Sequence, residues 1–108
     1  WNVSNAESFS NCFSDCESLV ELDLTLWDTS NISDISYMFI NCTSLTSLDT
    51  STWDSSSFLY LRYTFRNCNL IENEASEWWN LPGVVNYQYC FGDNISRSNY
   101  ADIPASWK

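Results

Sequence analysis

Tryptophan stands at positions 1, 27, 53 and 79, phenylalanine at 13, 39, 65 and 91, and cysteine at 16, 42 and 68, so three residue types recur in one register of 26. A period of this length constrains the fold more than any other property of the chain. A unit of 26 residues cannot bury its own apolar faces, and stacking on identical neighbours is the way it can do so. The 108 residues divide into units 1–26, 27–52, 53–78 and 79–108, read together as one repeat domain spanning 1–108. The last unit stretches, because Phe91 is followed by Trp107 at a longer interval than the earlier Phe-to-Trp steps. It also holds all the glycines and prolines (Pro82, Gly83, Gly92, Pro104) and reads as a worn, cap-like terminal unit.

Two shorter periods lie inside each unit. Ile32, Ile35, Met38 and Phe39 fall at i, i+3, i+6 and i+7, which predicts one face of a short helix. Ala6, Phe9, Cys12 and Phe13 repeat that pattern, as do Phe58, Leu61, Thr64 and Phe65, and Val84, Tyr87, Cys90 and Phe91. The Asp-Thr-Ser-Asn run before Ile32 offers side-chain oxygens to the amides of a first helical turn. After the cysteine, Leu19-x-x-Leu22-x-Leu24 and Leu45-x-x-Leu48 shift towards a period of two, which predicts a short strand. In the third unit Leu70-Ile71 comes one residue early and Glu74 takes the place of Leu22 and Leu48, as a one-residue deletion would produce. These periods lead to an α/β expectation: a leucine-rich-repeat-like solenoid of about four coils, with short parallel strands on one face and short helices on the other.

The charge and the missing residue types close off several functions. Four Lys+Arg against 14 Asp+Glu give a formal net charge of −10, which disfavours nucleic acid and anionic membrane surfaces. There is no histidine, so imidazole bases and histidine metal sites are absent, and two glycines provide no phosphate-cradling loop. No 18-residue apolar run argues for direct membrane insertion. The chain starts at Trp1 with neither a methionine nor a signal segment, and reads as a piece of a longer protein.

The run WDTSNISDISYMFINCTSLTSLD (27–49) resembles the 26-residue repeat of the BspA-like leucine-rich-repeat surface proteins, and FSDCESLVELDL (13–24) matches it well. The match weakens at FRNCNLI (65–71) and further in the fourth unit. The resemblance implies a secreted or surface-anchored protein that works by adhesion or partner binding, and it brings no active-site residue with it. The expected location is extracellular, on the cell surface or attached to a virion.

Candidate sites follow from the unit plan. Between the buried leucines, Val20, Glu21, Asp23, Thr46, Ser47 and Asp49 are expected to point to solvent and form an acidic, hydroxyl-rich binding face for a basic or polar partner. Trp78, adjacent to Trp79, exceeds what an internal aromatic column needs and is the expected exposed aromatic. Cys16, Cys42 and Cys68 fit an inward ladder of buried thiols; their spacing also permits a disulfide between neighbours and, least well, a metal site. The acid columns Asp23/Asp49 and Asp28/Asp54 read as solvated turn and capping groups in preference to calcium or glycosidase carboxylates. The expected function is a non-catalytic scaffold with no cofactor and no metal. Its partner would be a protein or glycan on a host or neighbouring cell, or another domain of the parent chain. The alternative is a spacer or decoration of a cell envelope or virion with no binding face of its own.

Overall fold

The computed structural model describes residues 3, 5–69, 72–73, 83–93 and 103–108, with the backbone alone at 72–73. The backbone of the aromatic half of each unit is a run of turns in which amides alternate between two duties. In the second unit the N–H groups of Ile35, Tyr37, Phe39 and Asn41 donate across to the carbonyls of Tyr60, Arg62, Thr64 and Arg66, at 2.9–3.0 Å. The N–H groups of Met38, Ile40 and Cys42 close local turns onto Ile35, Tyr37 and Phe39. The first unit repeats this scheme from Phe9 to Cys16, and the third from Leu61 to Asn67. Parallel pairing at Ser8 with Asp34, Asp34 with Tyr60 and Tyr60 with Asn86 holds the units in the register of 26.

The α/β expectation fails on this backbone. No α-helix forms among the described residues, and the regular elements are β1 (Ser47–Leu48), β2 (Glu72–Asn73) and a short 3-10 helix, Ala105–Trp107. A helical face at Ile32–Phe39, and at its equivalents, was predicted from spacing alone. Left-handed residues break it. Asn11, Tyr37, Tyr63 and Tyr89 have φ between 55° and 61°, and Asp15, Asn41, Asn67 and Asp93 between 55° and 60°. A left-handed residue every fourth position cannot continue a right-handed helix. It ends each local turn and returns the next amide to the neighbouring unit. The Asn and Asp column suits this conformation because short polar side chains tolerate it; the three tyrosines do not, and each costs about 1–3 kcal/mol that the surroundings must offset.

The leucine side of the unit is irregular rather than a continuous strand layer. Leu19 to Leu24 forms no strand, and β1 pairs in parallel with β2 over two residues, Ser47 with Glu72 and Leu48 with Asn73. That offset is 25, one short of the 26 kept at Asp34 and Tyr60, in agreement with the early Leu70-Ile71 in the sequence. The expected solenoid of helices facing strands is therefore replaced by a compact body of stacked turns. Its Cα radius of gyration, 12.5 Å, sits near the roughly 13 Å of a globular domain of this length.

The interior is built from columns. Phe13, Phe39, Phe65 and Phe91 stack with ring centroids 5.5, 5.7 and 5.5 Å apart and nearly parallel planes. Ile32, Ile35, Met38, Leu45, Phe58 and Leu61 are buried around them. Several polar groups in the core are answered by backbone, whereas the buried Thr50 hydroxyl has no hydrogen-bond partner among the described residues. The Thr64 hydroxyl donates to the Ile35 and Leu61 carbonyls, the Cys42 and Cys68 thiols to the Phe13 and Phe39 carbonyls, and the Trp53 indole to Leu24. The far end is covered by the 3-10 helix: the Phe91 amide donates to the Trp107 carbonyl, and the Trp107 ring lies 4.6 Å from that of Tyr87.

Candidate functional site

Every acid column ends in a local carboxylate turn. Asp23 accepts from the amide and hydroxyl of Thr25, and Asp49 does the same for Ser51, with hydroxyl contacts of 2.6 Å. Asp28 with Ser30 and Asp54 with Ser56 repeat the motif at the next corner. Side-chain and then backbone hydrogen bonds hold all four carboxyls below the ordinary aspartate range, so they stay ionised in solution. These residues set the corners of the chain by trading side-chain oxygen for orphan backbone donors.

All six residues of the expected binding face are exposed: Val20, at 59% of its full accessibility, with Glu21, Asp23, Thr46, Ser47 and Asp49. Stacking brings Glu21, Asp23, Ser47 and Asp49 together around an open depression of about 550 Å³, together with Leu22, Thr25 and Leu48. Val20 and Thr46 do not line it. A smaller hollow of about 280 Å³ between Phe13, Leu22, Asp23, Leu24 and Trp27 adjoins it. Three carboxylates around one concavity give an acidic, hydroxyl-bearing surface. Trp78 lies outside the described residues.

None of the five cysteines forms a disulfide. Cys42, Cys68 and Cys90 are buried, Cys16 is half-buried and Cys12 is exposed, so the inward ladder holds in the middle of the molecule and opens at its first unit. The hydrogen-bond partnership with Cys42, joined by burial, pushes the Cys68 thiol far up. Burial, with the neighbouring thiol second, also raises Cys12 and Cys16. Among the described residues no three Cys, Asp or Glu side chains converge as a metal site.

Sequence reasoning overlooked a second surface. Tyr37, Tyr63 and Tyr89 stack at 5.2 and 5.3 Å, and the guanidinium carbons of Arg62 and Arg66 lie 4.9 and 5.2 Å from the Tyr63 ring. The signal was present as tyrosine at 37, 63 and 89, again 26 apart, and an arginine on either side of Tyr63. Alongside it runs a polar ladder in which the Asn41 amide donates to Asp15 and the Asn67 amide to Asn41.

Fold and surfaces together define a repeat protein whose stacked 26-residue units present side chains in columns. The chain matches the family described as "Mycoplasma protein of unknown function, DUF285" over residues 1–104, and it belongs to that family. No curated protein and no solved structure matches it.

Proposed function

We propose that the chain is a non-catalytic binding scaffold of a secreted or surface-exposed protein, and that it engages a basic partner through the acidic depression at Glu21, Asp23, Ser47 and Asp49. The observation that carries this reading is that three exposed carboxylates from two units, Glu21, Asp23 and Asp49, line one concavity. Asp23 and Asp49 are pre-positioned by their own turns, so little of their side-chain entropy is lost when a cation docks. The likeness of 27–49 to BspA-like repeats supports adhesion as the setting, with a protein or a glycan on a neighbouring cell as the partner class. Charge of this sign favours a cationic protein surface and speeds its encounter at low salt.

The test is a protein and glycan array probed with the chain and with an Asp23→Asn/Asp49→Asn variant. Retention of basic proteins by the parent chain, weakened in the variant and by added salt, is the expected result. A chain that retains nothing on either array, while neighbouring segments of its parent protein do, assigns it the role of a spacer.

A further inference from the structure

We propose that the tyrosine ladder and the hollow at its end form a second binding site, for a short acidic saccharide. This site is separate from the acidic depression and does not depend on that reading. Tyr63 is stacked between Tyr37 and Tyr89, at 5.2 and 5.3 Å, so both faces of its ring are covered within the ladder. The column carries a row of phenol hydroxyls, which can donate and accept towards sugar hydroxyls. Tyr89, 41% exposed, carries this row into an open hollow of about 380 Å³ lined by Val85, Asn86, Tyr87, Gln88, Tyr89 and Ser106, with Ala105. Carboxamides, hydroxyls and aromatic edges with one exposed aliphatic side chain suit the mixed polar and apolar surface of a saccharide.

Charge fixes the kind of saccharide. The chain carries −10 overall, yet no carboxylate stands among the described residues that line this hollow, whereas the depression at Glu21 has three. Two of the three cations among the described residues, Arg62 and Arg66, stand on the adjoining tyrosines. Arg66 is paired with Asp93 at 3.1 Å. Arg62 has no carboxylate partner among the described residues, and its buried Nε has no hydrogen-bond partner there. The Tyr63 amide donates to the Gln88 carbonyl, which places the Arg62–Tyr63 step one unit before Gln88–Tyr89. With Arg62 one unit before Gln88 and no carboxylate among the described lining residues, a guanidinium fork selects one carboxylate or sulfate group on a sugar. The ligand is short because fields are screened over about 8 Å at physiological salt, and a long polyanion would meet the rest of the acidic surface.

The experiment is calorimetric titration of the chain with digalacturonic acid and with its dimethyl ester, a pair that differs in charge at constant sugar framework. Binding of the acid, with the ester about tenfold weaker or worse, is expected, as befits loss of one charge-assisted hydrogen bond. Arg62→Gln should weaken the acid by a similar factor and leave the ester unchanged. Tyr89→Asn, which keeps a residue tolerant of the left-handed backbone, should weaken both. Asp49→Asn should change neither, which separates this site from the depression at Glu21. Amide chemical-shift changes in the unsubstituted chain should map to 85–89, independently of how any variant folds. Equal binding of acid and ester, acid binding indifferent to Arg62→Gln, shift changes elsewhere, or no binding of either compound overturns the proposal. So does stronger retention of duplex DNA or anionic vesicles than of the saccharide.

Discussion

The stretch from Phe9 to Cys16 and the stretch from Ile35 to Cys42 have one backbone plan and both begin on a buried residue, yet beyond it they differ in burial at most positions. Phe39, Met38 and Cys42 are fully buried, while their equivalents Phe13, Cys12 and Cys16 are half-buried, exposed and half-buried. Trp53 is buried and Trp27 is half-buried. The amides of both stretches donate to the unit that follows, so hydrogen bonding towards that side does not explain the difference. Described residues cover Phe39 from both sides, through Phe13 and Phe65, and stack on Phe13 from one. In a stacked repeat, burial belongs to the place in the stack and not to the residue type, and stability becomes a sum of interfaces.

Substitution of the same phenylalanine in the two stretches strains that comparison hardest. Phe39→Ala opens a cavity between two stacked rings and should cost about 3–5 kcal/mol, whereas Phe13→Ala should cost about 1–2 kcal/mol, both read from urea unfolding. Equal losses would mean that the two stretches are packed alike in solution. Next comes the buried hydroxyl. Thr64→Val removes the donor to the Ile35 and Leu61 carbonyls and should cost about 1–3 kcal/mol, while Cys12→Val, in the same column of the first unit, should stay within about 0.5 kcal/mol.

Thiol chemistry reads the comparison without a substitution. A polar disulfide reagent should label Cys12 first, then Cys16, and should reach Cys42, Cys68 and Cys90 only on unfolding, as peptide mapping will show. Rapid labelling of Cys42 in the native protein would contradict the closed centre.

The acid turns give a pH effect of known sign. Folding depresses the carboxyls of Asp23, Asp28, Asp49 and Asp54, so their contribution is present above the unfolded aspartate value of about 3.9 and is lost as pH falls through the folded values. Melting temperature should therefore drop on acidification below about pH 4, and the drop should flatten when all four are changed to Asn. The smallest effect belongs to Asp49→Asn alone, which retains an acceptor for Ser51 and should leave the melting temperature at neutral pH nearly unchanged.

The inward side chains were legible in the sequence, and the backbone that carries them was not. Ile32, Ile35, Met38 and Phe39 are all buried, as their spacing required, because steps of three and four residues serve successive four-residue turns as well as they serve a helix. The distinguishing information is the left-handed position. Asn41 and Asn67 advertise it through a side chain that tolerates it, but Tyr37, Tyr63 and Tyr89 disguise it. The column in which tyrosine bears that conformation is also the ladder that sequence reading passed over. The six residues between the leucines were correctly placed at the surface, yet the strand that was to carry them shrank to Ser47–Leu48. Two of the six, Asp23 and Asp49, form carboxylate turns that bend the chain there instead.

The alternation of amide duties has a consequence in time. Ile35, Tyr37, Phe39 and Asn41 can exchange their amide hydrogens with solvent only when the second and third units part, whereas Met38, Ile40 and Cys42 are released when a single turn opens. Neighbouring positions on one short stretch therefore report two separate opening events. If separation of units is rarer than opening of a turn, deuterium uptake along 35–42 will run slow, fast, slow, fast. If the protein opens only as a whole, the two sets will exchange at one rate.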